Sequence, residues 1–132
     1  GPQNAIAPGK RMLSSMAPTI VLDPGGQLFL VTGGRGGPRI ITSTAEVILN
    51  TIDYHMDLAD ALAAPRIHHQ AIPDQLRFER NGLTPAVRDS LAAMGYTLAE
   101  GQATGTCAAV MRVPGGYAGA VDPRATGGAA GY

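Results

Sequence analysis

The chain carries a single cysteine in its 132 residues, which excludes an internal disulfide. Cys107 lies in the apolar run Cys107-Ala-Ala-Val-Met111 and reads as a buried structural thiol. Net charge is lacking too, since 10 basic residues match 10 acidic ones. A neutral chain has no electrostatic footprint for nucleic acid or an anionic membrane, and neither is expected as a partner. No apolar run approaches the ~20 residues of a membrane-spanning helix. No repeat of solenoid period and no internal boundary is present, so residues 1–132 read as one domain or part of one. The chain opens Gly1-Pro2-Gln3-Asn4, with neither an initiator Met nor a signal peptide, as a fragment or a processed product would.

Glycine and proline, by contrast, are abundant, at 18 and 10 residues, yet 45% of the chain is hydrophobic. That combination describes a loop-rich folded chain rather than disorder. The apolar runs Thr19–Leu22 and Leu28–Val31 flank Asp23-Pro24-Gly25-Gly26 and predict a β-hairpin. Both runs are apolar at nearly every position, as in a sheet covered on both faces. Ser43-Thr44 can cap a helix whose stripe is Ala45, Ile48, Leu49 and Ile52. Asp57 caps a short helix with Leu58 and Leu62 on one face, ended by Pro65. Residues 66–73 read as a polar connector, and Leu76-Arg77-Phe78-Glu79 as a strand with one wet face. Thr84-Pro85 starts a helix with Val87, Leu91 and Met94 on its apolar side and Gly95 after its end. Cys107–Val113 and Tyr117–Val121 predict a second hairpin, and Asp122–Tyr132 a loop. The order fits a layered α/β fold with mainly antiparallel strands.

Candidate chemistry is sparse. Gly33-Gly34-Arg35-Gly36-Gly37 sits between a strand and a helix, where phosphate sites occur. Arg39 stands where the dinucleotide fingerprint needs its third Gly, and Pro38-Arg39 stand where a Walker loop needs Gly-Lys, so nucleotide binding is set aside. His68 and His69 are adjacent and would point oppositely on a strand; with no second Cys and no His-x-x-x-His, no metal is expected. Asp53, Asp57 and Asp60 read as caps and solvated positions. Hairpin geometry is more informative. Ser14-Ser15 precede the first strand and Gly36-Gly37 follow the second, so two hydroxyls and bare backbone N–H groups should meet at one end. Such a cluster suits a carboxylate or an oxyanion.

The segment Asn4-Ala-Ile-Ala-Pro-Gly-Lys-Arg-Met-Leu-Ser-Ser-Met-Ala-Pro-Thr-Ile-Val21 resembles the small subunit of γ-glutamyltranspeptidases. So do Gly36-Gly37-Pro-Arg39-Ile-Ile-Thr42, the run from Met56 to Gln70, and the closing Ala120-Val-Asp-Pro-Arg124. This resemblance implies a four-layer αββα sandwich of the N-terminal-nucleophile hydrolase type, of which residues 1–132 are a C-terminal portion. It also implies a self-cleaving precursor. In such enzymes a new N-terminal Thr attacks a γ-glutamyl amide, as in glutathione, and the acyl-enzyme passes to water or to an amine. Ser14 and Ser15 would then hold the substrate α-carboxylate, and Gly36 and Gly37 would supply oxyanion-hole N–H groups. The resemblance implies no cofactor and a periplasmic or extracellular location. Obligate partners would be a large subunit and the rest of the small subunit, covering sheet edges and apolar faces.

Two departures stand out. The nucleophilic Thr is expected several dozen residues upstream of Ser14, and none of Thr19, Thr32, Thr42 or Thr44 has its context. The loop reads Gly-Gly-Arg-Gly-Gly-Pro where bacterial relatives commonly have Gly-Ser-Pro-Gly-Gly-Ser. Arg35 therefore adds charge at the mouth, and Pro38 removes an N–H after the two donors. An acylase or poly-γ-glutamate hydrolase on the same fold, and a catalytically silent structural relative, are the alternatives.

Overall fold

The computed structural model describes residues 4–101 and 105–131, so Tyr132 at the end of the expected tail loop lies outside it. Strand β1 (Thr19–Leu22) and β2 (Leu28–Arg35) form the expected hairpin. Its turn is fixed by Asp23, whose N–H donates to the Gln27 carbonyl at 2.8 Å and whose Oδ1 accepts the Gln27 N–H at 2.9 Å. Helix α1 (Arg39–Ile52) and helix α2 (Leu58–Ala63) follow, then β3 (Ile67–His68), β4 (Leu76–Glu79), α3 (Pro85–Ala93), β5 (Leu98–Gly101), β6 (Thr106–Val113) and β7 (Gly116–Val121). One antiparallel sheet has the order β1-β2-β6-β7; a smaller one has the order β3-β4-β5, with β4 and β5 parallel.

Helices α1 and α2 lie on one face of the four-stranded sheet. The core there is Leu30, Val47, Leu58, Leu62, Cys107 and Ala109, flanked by Val21, Phe29, Ile48, Met111 and Ala120. Cys107 is thus the buried thiol its apolar run predicts. Gly34 allows β2 and β6 to approach: a Cβ there would sit 2.3 Å from the Thr106 carbonyl oxygen and 2.9 Å from Cys107 Sγ.

The opposite sheet face departs from expectation. Ile20, Val31 and Val110 stand in one cross-strand row, and Ile20 is 68% and Val110 44% exposed. Among the described residues only the helical face is fully covered, although the strands have the composition of a two-sided interior.

Four further readings are corrected. Helix α1 begins at Arg39 with Pro38 at its N-cap, four residues before the expected Ser43-Thr44 cap. Proline's fixed φ suits a first turn, and its missing N–H would have no helical partner there. Ser43 and Thr44 consequently lie mid-helix and face the sheet with Ile40, Val47 and Thr51, while Ala45, Leu49 and Ile52 are exposed. Thr51 tolerates burial because it bonds locally, its Oγ1 donating to the Val47 carbonyl at 3.0 Å. The connector 66–73 contains β3, and β5 was not anticipated. Helix α3 has its Thr84 cap (Val87 N–H to Oγ1, 3.3 Å) and a left-handed Gly95, but none of its residues is buried. Arg88 holds it instead, 4.8 Å above the Phe78 ring and 3.2 Å from Glu100.

Candidate active site

The hairpin returns to its starting end, and there Ser15 Oγ donates to the Gly37 carbonyl at 2.6 Å. Gly36 and Gly37 have φ of 145° and 62°, a turn that side-chained residues resist. The chain then enters α1, with Arg39 N–H and Ile40 N–H donating to the Gly36 and Gly37 carbonyls. The diglycine bonds run through its carbonyls, which leaves the orientation of its N–H groups to the turn. Ser14 is exposed; its Oγ accepts from Met16 N–H at 3.2 Å, so its own proton stays available. Ser15 and Gly37 are thus in direct contact, with Ser14 and Gly36 as their neighbours along the chain. Arg35 is tied to the sheet, its Nε donating to Thr106 Oγ1 at 3.1 Å.

Beside the diglycine opens a cleft of about 380 Å³, lined among others by Gly36, Pro38, Arg39, His68, Gln70 and Arg77. Its floor is fixed. His68 is buried, with Nδ1 2.9 Å from Thr42 Oγ1 and Nε2 2.9 Å from Gln70 Oε1. Gln70 Nε2 donates to the Ile72 carbonyl at 2.8 Å, so Gln70 Oε1 must accept and His68 carries a proton on Nε2. His69 turns away and meets Asp74 at 2.9 Å. Among the described residues no His/Cys/Asp/Glu cluster could hold a metal ion. Asp53 and Asp57 occupy cap positions without a side-chain capping bond.

Beneath lies an ionic frame that the sequence did not suggest. Arg66 is 1% exposed and pairs with fully buried Asp122 at 2.7 Å, also donating to the Leu62 and Gly105 carbonyls. Arg124 spreads over Glu79, Asp122 and the carbonyls of Leu62, Ala63 and Ala64 at the end of α2. Burial pushes the Asp122 carboxyl up, but the N–H groups of Arg124 and Cys107 and the two guanidiniums outweigh it, and the net shift is downward. Glu46 accepts from Ile67 N–H at 2.8 Å on Oε1, while Oε2 is buried with no partner among the described residues. Desolvation dominates there and raises its carboxyl to about 7. Burial likewise raises the Cys107 thiol. The polar connector and the tail loop hid this frame; its one signal in the sequence was the close pair Asp122-Pro-Arg124.

The whole chain, residues 1–132, matches the family model described as Gamma-glutamyltranspeptidase. It is 46% identical over 125 residues to a glutathione hydrolase proenzyme of Escherichia coli, covering 94% of this chain and 21% of that protein. A Pseudomonas aeruginosa glutathione hydrolase proenzyme is 50% identical over 97 residues, covering 72% and 17%. The chain thus spans about a fifth of the length of these relatives. A Helicobacter pylori gamma-glutamyltranspeptidase structure superposes with a TM-score of 0.86 at 45% identity, over 95% of this chain and 69% of that one. The neighbours and the mixed helix–sheet layers agree on the N-terminal-nucleophile hydrolase fold class. The chain belongs to the gamma-glutamyltranspeptidase family.

Proposed function

We propose that this chain is the C-terminal part of the small subunit of a γ-glutamyl hydrolase/transpeptidase that cleaves γ-glutamyl amides such as glutathione. The nucleophile is an N-terminal Thr outside these residues. Its hydroxyl oxygen adds to the γ-carbonyl, and the amide C–N bond breaks with the proton going to the leaving amine. The resulting ester is then taken by water or by an acceptor amine. Negative charge on the carbonyl oxygen is met by the N–H groups of Gly36 and Gly37, and loss of one such donor costs about 10²–10³ in rate. Ser14 donates its free proton to the substrate α-carboxylate, and Ser15 exchanges its bond to Gly37 for the same carboxylate.

The contact between Ser15 and Gly37 is the observation that carries this reading, because it joins the carboxylate-holding pair to the oxyanion turn. A large subunit and the remainder of the small subunit complete the site, and the assembled enzyme works in the periplasm or outside the cell. No described helix is long and apolar enough to cross a membrane. The reading needs no cofactor.

The test uses full-length, processed protein and a γ-glutamyl anilide. Unaltered protein should release the aniline, and Ser14→Ala with Ser15→Ala should raise KM by about 10–100-fold, the worth of hydrogen bonds to a charged group. A processed protein that releases none, or that prefers glutaryl amides, sinks the proposal.

A further inference from the structure

The cleft beside the diglycine has a charge pattern of its own. Arg66, Arg88, Arg112 and Arg124 each meet a carboxylate. Arg39 and Arg77 meet none among the described residues, and both line this cleft, whose lining contains no acidic side chain. Arg39 opens α1 immediately beyond the diglycine turn; Arg77 is exposed on β4, paired in register with His68. Between them the floor is held by the Thr42–His68–Gln70 chain of hydrogen bonds, so the two guanidiniums stand on a fixed base. Two unpaired guanidiniums in a concave site are a receptor for a carboxylate, which arginine engages through two parallel N–H groups.

Gly36 lines the cleft but neither Ser14 nor Ser15 does, so the cleft and the serines reach the diglycine from different sides. A γ-glutamyl peptide carries a carboxylate at each end with the scissile amide between them. The C-terminal carboxylate of a two-residue leaving group lies at most ~7 Å beyond that amide. We propose that Arg39 and Arg77 form a second carboxylate site, which takes the C-terminal carboxylate of the leaving peptide. In the transfer half-reaction the same site takes the carboxylate of the incoming amino acid or peptide. This assignment rests on the γ-glutamyl reading above and adds to it a preference for leaving groups and acceptors that carry a free carboxylate.

The experiment compares kcat/KM for glutathione and for glutathione amidated at its C-terminus, on full-length processed protein. Unaltered protein should favour the free acid by at least about 10-fold, and Arg77→Gln should remove about 10-fold of that ratio, with Arg77→Lys recovering part. The ratio cancels any change in the amount of active enzyme. Equal values for the two substrates in the unaltered protein, or a ratio unmoved by Arg77→Gln, overturns the carboxylate site while leaving γ-glutamyl cleavage intact. Failure to cleave glutathione, its amide and a γ-glutamyl anilide alike removes the functional reading and this site with it.

Discussion

Glu46 shows how a single side chain can tie stability to pH. Its carboxyl is raised from 4.5 to about 7 because burial penalises the charge more than the Ile67 N–H relieves it. The folded state therefore holds a proton that the unfolded chain has released between pH 4.5 and 7. Stability from this group falls as pH rises through that window and levels off above it. The total is up to about 3 kcal/mol before solvent screening trims it. Glu46→Gln, which keeps the acceptor for Ile67, should match the unaltered protein in urea melts at pH 5 and exceed it at pH 8. Gly34 makes the opposite point, since its role is the absence of atoms. Gly34→Ala should separate β2 from β6 and cost about 1–3 kcal/mol, seen as a lowered melting temperature. The diglycine and paired serines were legible as a cluster because glycine, proline and hydroxyl residues act locally. Glu46 was not, because its partner Ile67 comes from a strand only two residues long.

Helix α2 depends on a residue far from it in sequence. Its last carbonyls, unpaired within the helix, are gathered by Arg124, while Arg66 shares the Leu62 oxygen. Arg124→Lys keeps the charge but not the flat fan of donors, and should cost about 1–3 kcal/mol. Hydrogen exchange should report it locally, with the Ala61 and Ala64 amides protected less than those of β6. The two hairpins and the existence of all three helices were readable from turn residues and spacing. The face of α1 was not: Ser43, Thr44 and Thr51 are polar by type yet face the sheet, so an apolar stripe rotated the helix wrongly. Strand β5 escaped notice because Leu-Ala-Glu-Gly has little strand propensity and forms on the edge offered by β4.

The molecule as a whole is one covered sheet face and one open one. The row Ile20–Val31–Val110 has no partner of comparable size among the described residues, although Gly127 and Ala129 approach its β7 edge. In the full-length protein that face should meet the rest of the sandwich, and Val110→Asp should abolish maturation, read as unprocessed or insoluble precursor on a denaturing gel. Layered α/β architecture was legible from the order of elements, whereas the uneven cover was not, because composition reports what a strand requires rather than what this chain supplies. The buried pair of Arg66 and Asp122 bears on how such a molecule is made. A ribosome delivers Arg66 first and Asp122 only after β3, β4, α3, β5, β6 and β7 have emerged. Until then a guanidinium destined for the interior has no counter-ion, and the core cannot close around it. A message cut short before Asp122 yields a polypeptide whose Arg66 stays unpaired and whose core stays open to proteases.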